Sequence, residues 1–364
     1  MLKNVRCFVL MRNKFVSLKV HPFMSLFSSF PHLQLPDGLS SEQLQQAVAI
    51  LKSGGLVAFP TETVYGLGAD AENPAALARL YEVKGRPTHH PVIVHLGSAE
   101  QLSEWAVEIP SQAYQLAQAF WPGPLTLILK RSPRVPDAVT GGQDTVGIRV
   151  PSHPVALALL KAFGGGVAAP SANRFGRLSP TTAAHVQADL GQDVDLILDG
   201  GASDVGVEST IVAFRDNQPI VLRPGMITAE QIQEALAKPI ASVTNKPASS
   251  STVSRAPGTL ASHYAPRTPL TLLTPAELDE TLTRINTPDW AVGVLARRAC
   301  PFDLRDKPWL VWQQLEDEPN AAARMLYARL RELDSLSLDQ LYVEVVPEEG
   351  AWAAVADRLK RAAY

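Results

Sequence analysis

Cysteine is nearly missing from this 364-residue chain: Cys7 and Cys300 are its only two. Their separation excludes a cysteine metal site or a redox motif, and both thiols read as reduced, in a cytosolic protein. Excess charge is missing too. With 33 Lys plus Arg against 36 Asp plus Glu, the formal net charge is −3. Bulk electrostatics therefore give no argument for nucleic acid, although a local basic pocket is not excluded. No apolar run is long enough to span a bilayer. A glycine-rich phosphate loop of either standard form is absent, as is any internal repeat. No histidine or acid is spaced to make Ser171 or Ser209 a visible nucleophile, so no hydrolase triad is read. His89, His90 and His95 lie close in sequence, but no cysteine or acidic partner completes a zinc pattern.

What is present suits a globular protein of more than one core. The length exceeds that at which single cores stop growing, and 46% of the residues are apolar. Residues 1–36 differ from the rest, with five basic residues up to Lys19 and no acidic one. They read as a transit peptide or an over-extended start before Met11 or Met24, the second being favoured. The centre of the chain is residues 59–70, FPTETVYGLGAD. The apolar LVAF ends at Pro60, and Thr61, Glu62, Thr63, Tyr65, Gly66 and Gly68 follow before a helical segment from Pro74. Hydroxyls, a carboxylate and glycines between a core strand and a helix predict a ligand-holding turn, with an ordinary strand-to-helix connection as the alternative.

Helix and strand signals alternate around that turn. Ser40 with Gln43 forms a capping box for a helix that stops at Gly54 and Gly55. Strands are predicted at VIVHL, LTLILK, residues 146–150, residues 195–200, VESTIVAF and PIVLRPG, with helices between them and a last one after Thr228. Residues 239–262 turn Ser-, Thr-, Pro- and Ala-rich without periodicity and read as a linker. SHYAPRTP closes it, unusual for a tether in carrying His263, Tyr264 and Arg267. The remainder alternates LTLLT, AVGVLA, LVWQQL and LYVEVV with helices, which predicts a small α/β domain with a mostly parallel sheet.

Several polar residues stand out against this frame. Lys84 and Arg86 form a short basic pair, commonly solvated surface, but placed in a loop where α/β folds bind ligands. Arg223 is the third phosphate-holding candidate. Arg149 lies inside VGIRV, where a charge is costly unless paired or ligand-facing. It is either outward-facing on a half-exposed strand or a clamp for a carboxylate or phosphate. Ser171 and Asn173 in PSAN, and Ser209 and Thr210 in VEST, offer neutral donors and acceptors or turn caps. Glu62 and Glu208 are the acidic candidates, and His95 is a core histidine or a ligand contact.

FPTETVYGLGAD, KGRP with VIVHL after it, WPGPLTLIL, GIRVPSHP, APSAN followed by SPT, VESTIV and VLRPG occur here in the order of the YrdC family. The sequence resembles its two-domain L-threonylcarbamoyladenylate synthases. The resemblance implies an open, twisted YrdC-like α/β catalytic domain at 40–236 and a linker or lid at 237–267. It further implies a smaller Rossmann-like α/β domain at 268–364. The implied enzyme is a nucleotidyltransferase that makes L-threonylcarbamoyl-AMP and pyrophosphate from L-threonine, bicarbonate or CO2, and ATP. Implied threonine-binding residues are Thr63, His95, Arg149, Ser171 and Ser209. Implied ATP-binding residues are Lys84, Arg86, His90, Thr145, Val146, Gly147, Ile148, Asn173, Thr181 and Arg223, with His263 and Tyr264 in the lid. No protein nucleophile is implied, and Mg²⁺ comes with ATP without an assigned protein ligand. Downstream stands a tRNA threonylcarbamoyl transferase machinery, with tRNA contact as an option, in the cytoplasm and off the membrane. The alternative is a module that binds folded or double-stranded RNA without synthase activity. Two departures mark this chain: His89-His90 replaces an asparagine-rich pair, and PGTLAS lacks the methionine and basic character common ahead of HYAP.

Overall fold

The computed structural model describes Pro36 and residues 39–237, 241–242, 255–258, 263–285 and 289–364. Apart from Pro36, the basic extension lies outside the described residues, as does most of the linker.

The first helix shows how local signals set the elements. Ser41–Lys52 starts where Ser40 and Gln43 bond reciprocally, and it buries Leu44, Ala47 and Leu51 at helical spacing. Pro74–Lys84 is capped by the Asn73 side chain and ends at Gly85 in the left-handed conformation, φ 62°. That stop puts Lys84 and Arg86 on either side of a sharp exit from the helix.

A mixed sheet organises the first domain. Its strands run across in the order Ala241–Ser242, Gln218–Arg223, Thr210–Arg215, Leu125–Lys130, Thr145–Arg149, Ile93–His95, Val167–Ala168, Gly66–Asp70, Val57–Phe59 and Leu196–Ile197. Ile93–His95 and Thr145–Arg149 are parallel, Leu125–Lys130 is antiparallel to Thr145–Arg149 but parallel to Thr210–Arg215, and Gly66–Asp70 is antiparallel to both its neighbours. The smaller domain has a four-stranded sheet in the order Leu270–Leu273, Gln340–Glu344, Val292–Ala296 and Leu310–Gln314, all parallel. The expected α/β architecture holds in both.

Three local expectations change. The turn after Phe59 does not lead straight to a helix: Gly66–Asp70 first returns antiparallel to Val57–Phe59. Gly68 permits this, because a Cβ there would lie 2.8 Å from the Phe59 ring and 2.9 Å from Val167. The glycines that read as turn residues are thus strand residues under close packing. The strand expected at 195–200 shortens to Leu196–Ile197 at the sheet edge. Within the linker, Ala241–Ser242 adds an edge strand parallel to Gln218–Arg223.

The two domains share a hydrophobic cluster. Val64, Leu178, Val207 and Tyr264 pack with Leu326, Tyr327 and Leu330 of the helix Pro319–Asp334. Arg331 of that helix pairs with Asp189 at 2.5 Å and donates to the carbonyls of Leu178 and Ser179. At Gly206, φ 81°, a Cβ would sit 2.4 Å from the Ala323 carbonyl oxygen, so the helix approaches as closely as backbone allows.

Candidate active site

Parallel pairing creates the first wall. His95 and Arg149 are register partners on adjacent strands, so their side chains stand beside each other on one face. Both are buried, which removes the outward-facing reading of Arg149. Arg149 donates from Nη1 to Thr63 Oγ1 at 2.8 Å and from Nε to the Gly123 carbonyl at 3.3 Å. Its Nη2 lies 2.8 Å from Glu62, an ion pair without a directed hydrogen bond. Thr61 sets this turn: its Oγ1 donates to the Val64 carbonyl at 2.6 Å and accepts from the backbone N–H groups of Thr63 and Val64.

The second wall comes from the hairpin at the other side of the sheet. Ser209 Oγ shares a 2.8 Å hydrogen bond with Thr126 and accepts from Arg223 Nη2 at 3.1 Å. Arg223 also donates to the Ser209 carbonyl at 2.9 Å and to the Pro257 carbonyl at 3.0 Å. Next to Ser209, Glu208 accepts from Ser179 Oγ at 2.5 Å, Tyr327 Oη at 3.0 Å and Arg358 Nε at 2.6 Å. Tyr327 and Arg358 belong to the smaller domain.

Lys84 supports the loop between the walls. Its Nζ donates to the carbonyls of Ser171 at 2.5 Å and Asn173 at 2.6 Å. Asn173 Nδ2 donates at 2.8 Å to the carbonyls of Arg174 and Arg177. Arg86 donates to the Pro91 carbonyl at 2.7 Å and lies over the Phe175 ring at 5.4 Å. The aromatic rings of His90, Phe175, His263 and Tyr264 follow one another at centroid distances of 5.4, 5.6 and 4.1 Å.

The linker reaches into this space at two places. Pro257 and Gly258 line it, and a Cβ on Gly258 would lie 2.0 Å from Tyr264 Oη. His263 and Tyr264 line it as well, with the Tyr264 ring 5.3 Å from the Arg358 guanidinium. Tyr264 holds φ 61°, an unusual conformation for a bulky residue, imposed by this packing. Backbone bonds stitch the segment on both sides: His263 N–H to the Arg361 carbonyl at 3.2 Å, and Ala265 N–H to the Gly176 carbonyl at 2.9 Å.

The cavity is partly open and measures about 60 Å³. A water needs roughly 10–15 Å³ of such space, so a handful of waters fits there and an adenine nucleotide needs more room. Of the expected residues, Thr63, Arg86, His95, Arg149, Ser171, Ser209, Arg223, His263 and Tyr264 line the cavity. Lys84, His90, Asn173, Thr181 and the strand residues Thr145, Val146, Gly147 and Ile148 are not among its lining residues. Thr181 bonds to His185 instead, at 3.3 Å through its backbone N–H.

Burial and the crowd of cations set the protonation states. Burial, reinforced by Arg149, drives His95 down to about 3, and burial with the nearby Arg86, Lys84 and Arg223 does the same for His263. Both imidazoles are neutral at physiological pH. Burial pushes Lys84 well below its usual value, with Arg86 adding to the shift. For Glu208 burial acts upward, but Arg358, Arg223 and the hydrogen bonds from Ser179 and Arg358 outweigh it and hold the carboxyl at about 2. Buried atoms without a hydrogen-bond partner collect here: both Glu62 oxygens, His95 Nδ1, Arg149 Nη2 and His263 Nδ1. Such groups are costly unless a ligand completes them. No cluster of three candidate metal ligands occurs among the described residues, and both nearby carboxylates face arginines. The residues present do not fit a protein-held metal ion.

Sequence reasoning passed over Thr126, Pro257, Gly258, Tyr327 and Arg358. The Pro257-Gly258 dipeptide is a turn signal that could have drawn attention to the linker. Arg358 carries no local signal, since ADRLKRAA reads as an ordinary amphipathic helix.

Comparison with known proteins gives a consistent picture. Residues 49–225 match the Sua5/YciO/YrdC family, described as "Telomere recombination", and residues 227–364 match the family described as "Threonylcarbamoyl-AMP synthase, C-terminal domain". A threonylcarbamoyl-AMP synthase of Pyrococcus abyssi is 39% identical, over 88% of this chain and 94% of the relative. One of Bacillus subtilis is 40% identical, over 91% and 96%. The crystal structure of P. abyssi Sua5 complexed with L-threonine superposes with a TM-score of 0.81 at 38% identity, covering 89% of this chain and 95% of that one.

Proposed function

The chain belongs to the two-domain threonylcarbamoyl-AMP synthase family, and we propose that it makes L-threonylcarbamoyl-AMP and pyrophosphate from L-threonine, bicarbonate or CO2, and ATP. The observation that carries this reading is the juxtaposition of Arg149 and His95 in a cavity rimmed by Arg86 and Arg223, with an under-bonded Glu62 against Arg149. That arrangement suits an amino acid carboxylate on one side and a polyphosphate on the other.

In this reading Thr63, His95, Arg149, Ser171 and Ser209 hold threonine, and neutral His95 accepts or donates a hydrogen bond without adding charge. Arg86 and Arg223 meet the nucleotide phosphates. Lys84 and Asn173 hold the loop 171–177 in shape for ATP, with His90, Thr181 and the strand residues 145–148 along the nucleotide. The threonine amine forms a carbamate with bicarbonate, releasing water, or with CO2, releasing a proton, and a carbamate oxygen attacks the α-phosphorus. A new O–P bond forms, the bond to the β-phosphate oxygen breaks, and pyrophosphate leaves. No side chain needs to become covalently attached; the protein orients the reactants, balances charge and excludes water. Mg²⁺ enters with the ATP phosphates, and no step is assigned to a protein-held ion.

The small volume of the cavity, with Pro257, Gly258, His263 and Tyr264 in its lining, supports a lid role for the linker. Nucleotide entry requires the segments at 257–258 and 263–264 to move away, and their return shields the carbamate and the mixed anhydride. The product feeds a transferase that modifies tRNA, and the setting proposed is the cytoplasm; no helix among the described residues is long and apolar enough to cross a membrane. Purified protein supplied with ATP, Mg²⁺, bicarbonate and L-threonine, without RNA, tests the reading. Threonine-dependent pyrophosphate release with a labile threonylcarbamoyl adenylate is the expected result. A folded protein that turns over no ATP under those conditions but binds folded RNA would replace it with the RNA-binding alternative.

A further inference from the structure

Arg358 is buried behind the cavity-lining Glu208, and it comes from the last helix of the smaller domain, Ala353–Ala362. Its Nε donates to a Glu208 carboxylate oxygen at 2.6 Å, its Nη2 to the Glu208 backbone carbonyl at 3.3 Å and its Nη1 to Asp357 at 2.7 Å. Its guanidinium also lies 5.3 Å from the centre of the Tyr264 ring. One residue therefore touches both a carboxylate of the cavity wall and the ring that closes the cavity. Among the described residues Glu208 is the only acidic one lining the cavity, adjacent in sequence to Ser209, which Arg223 grips. A carboxylate there opposes a polyanionic ligand. Left without Arg358, it would also turn toward Arg223, the neighbouring cation.

We infer that Arg358 is a positioning residue for ATP: it occupies the Glu208 carboxylate so that Arg223 remains available to phosphate, while supporting the Tyr264 ring of the lid. The smaller domain then shapes the nucleotide site directly. Tyr327 and Ser179 complete the arrangement by donating to the same carboxylate. This inference rests on the synthase reading above, since it assigns the effect to ATP.

The test measures separate Michaelis constants for ATP and threonine in the wild-type protein, Arg358→Met, and Arg358→Met combined with Glu208→Gln. Arg358→Met should raise the ATP KM by about tenfold or more while the threonine KM moves by less than about threefold, a split that a merely structural defect would not produce. Removing the Glu208 charge in the double variant should return the ATP KM to within about threefold of wild type. Equal rises in both constants, or a double variant no better than the single one, overturns the inference. If Arg358→Met alone does not fold, the double variant, which contains no unpaired buried charge at this position, carries the test. An ATP KM near wild type supports the inference, and a tenfold rise overturns it. Failure of the wild-type protein to form the adenylate would instead overturn the synthase reading, so the two failures are distinct.

Discussion

On one wall of the cavity Arg149 meets Glu62 at 2.8 Å, and on the other Arg358 meets Glu208 at 2.6 Å. All four side chains are buried. Yet the Glu208 carboxylate is saturated by three side-chain donors, whereas the Glu62 carboxylate receives no directed hydrogen bond among the described residues. A buried ion pair with every lone pair engaged fixes a geometry; one with unused capacity can exchange a partner. In the proposed reading the difference separates a binding wall, near Arg149, from a supporting wall, near Arg358. The second domain supplies none of the described lining residues and reaches the cavity through Glu208, which Tyr327 and Arg358 hold.

The largest expected effect is at the binding wall. Arg149→Ala should raise the threonine KM by roughly 100-fold, the scale of truncating one partner of a buried charge pair, with a smaller change for ATP. Separate substrate titrations and a thermal melt on the same variant check this. Equal losses for both substrates together with unfolding would make Arg149 a structural residue and erase the contrast.

Opening the lid should come next. His263→Ala combined with Tyr264→Ala should lower the yield of intact adenylate about tenfold or more by admitting water, with both domains still folded. In the wild-type protein, ATP plus threonine should protect the linker from protease. Full activity in the double variant with unchanged cleavage would leave the linker as a tether alone.

The two carboxylates themselves should differ in stability. Glu208→Gln loses charge-assisted bonds from Arg358, Tyr327 and Ser179, and should cost about 1–2 kcal/mol more than Glu62→Gln. Denaturant unfolding of the two variants gives the comparison, and equal costs would show that hydrogen-bond saturation does not distinguish the walls.

At neutral pH the smallest effect is that of the buried histidines, which emerges only on acidification. His95 and His263 stay neutral in the folded protein down to about 3, whereas in the unfolded chain each takes a proton below its ordinary value. The unfolded state then binds more protons, so stability is present above about pH 6.5 and declines as the pH falls below it. Each histidine should account for about 1.4 kcal/mol lost between neutral pH and pH 5.5. Glu208, held at about 2, adds a further loss only below its unfolded value near 4.5. His263→Gln should flatten the upper part of the profile, and a profile unchanged by that substitution would contradict the burial of this imidazole.

Local chemistry in the sequence determined the elements and much of the inventory of the site. Capping residues, glycine stops and hydrophobic periods act over a few residues, so the helices Ser41–Lys52 and Pro74–Lys84 and the parallel second domain were legible. The ordered motifs identified the family and named Arg149, His95 and Arg223. Only the tertiary structure decided which of these groups converge. Strand register placed His95 beside Arg149, while burial turned Lys84 inward onto two carbonyls rather than into the cavity. Arg358 met Glu208 across 150 residues of sequence, because packing of the last helix against the first domain brought them together. Register, close packing and the pairing of buried charge are long-range properties, and no local pattern around Arg358 records them.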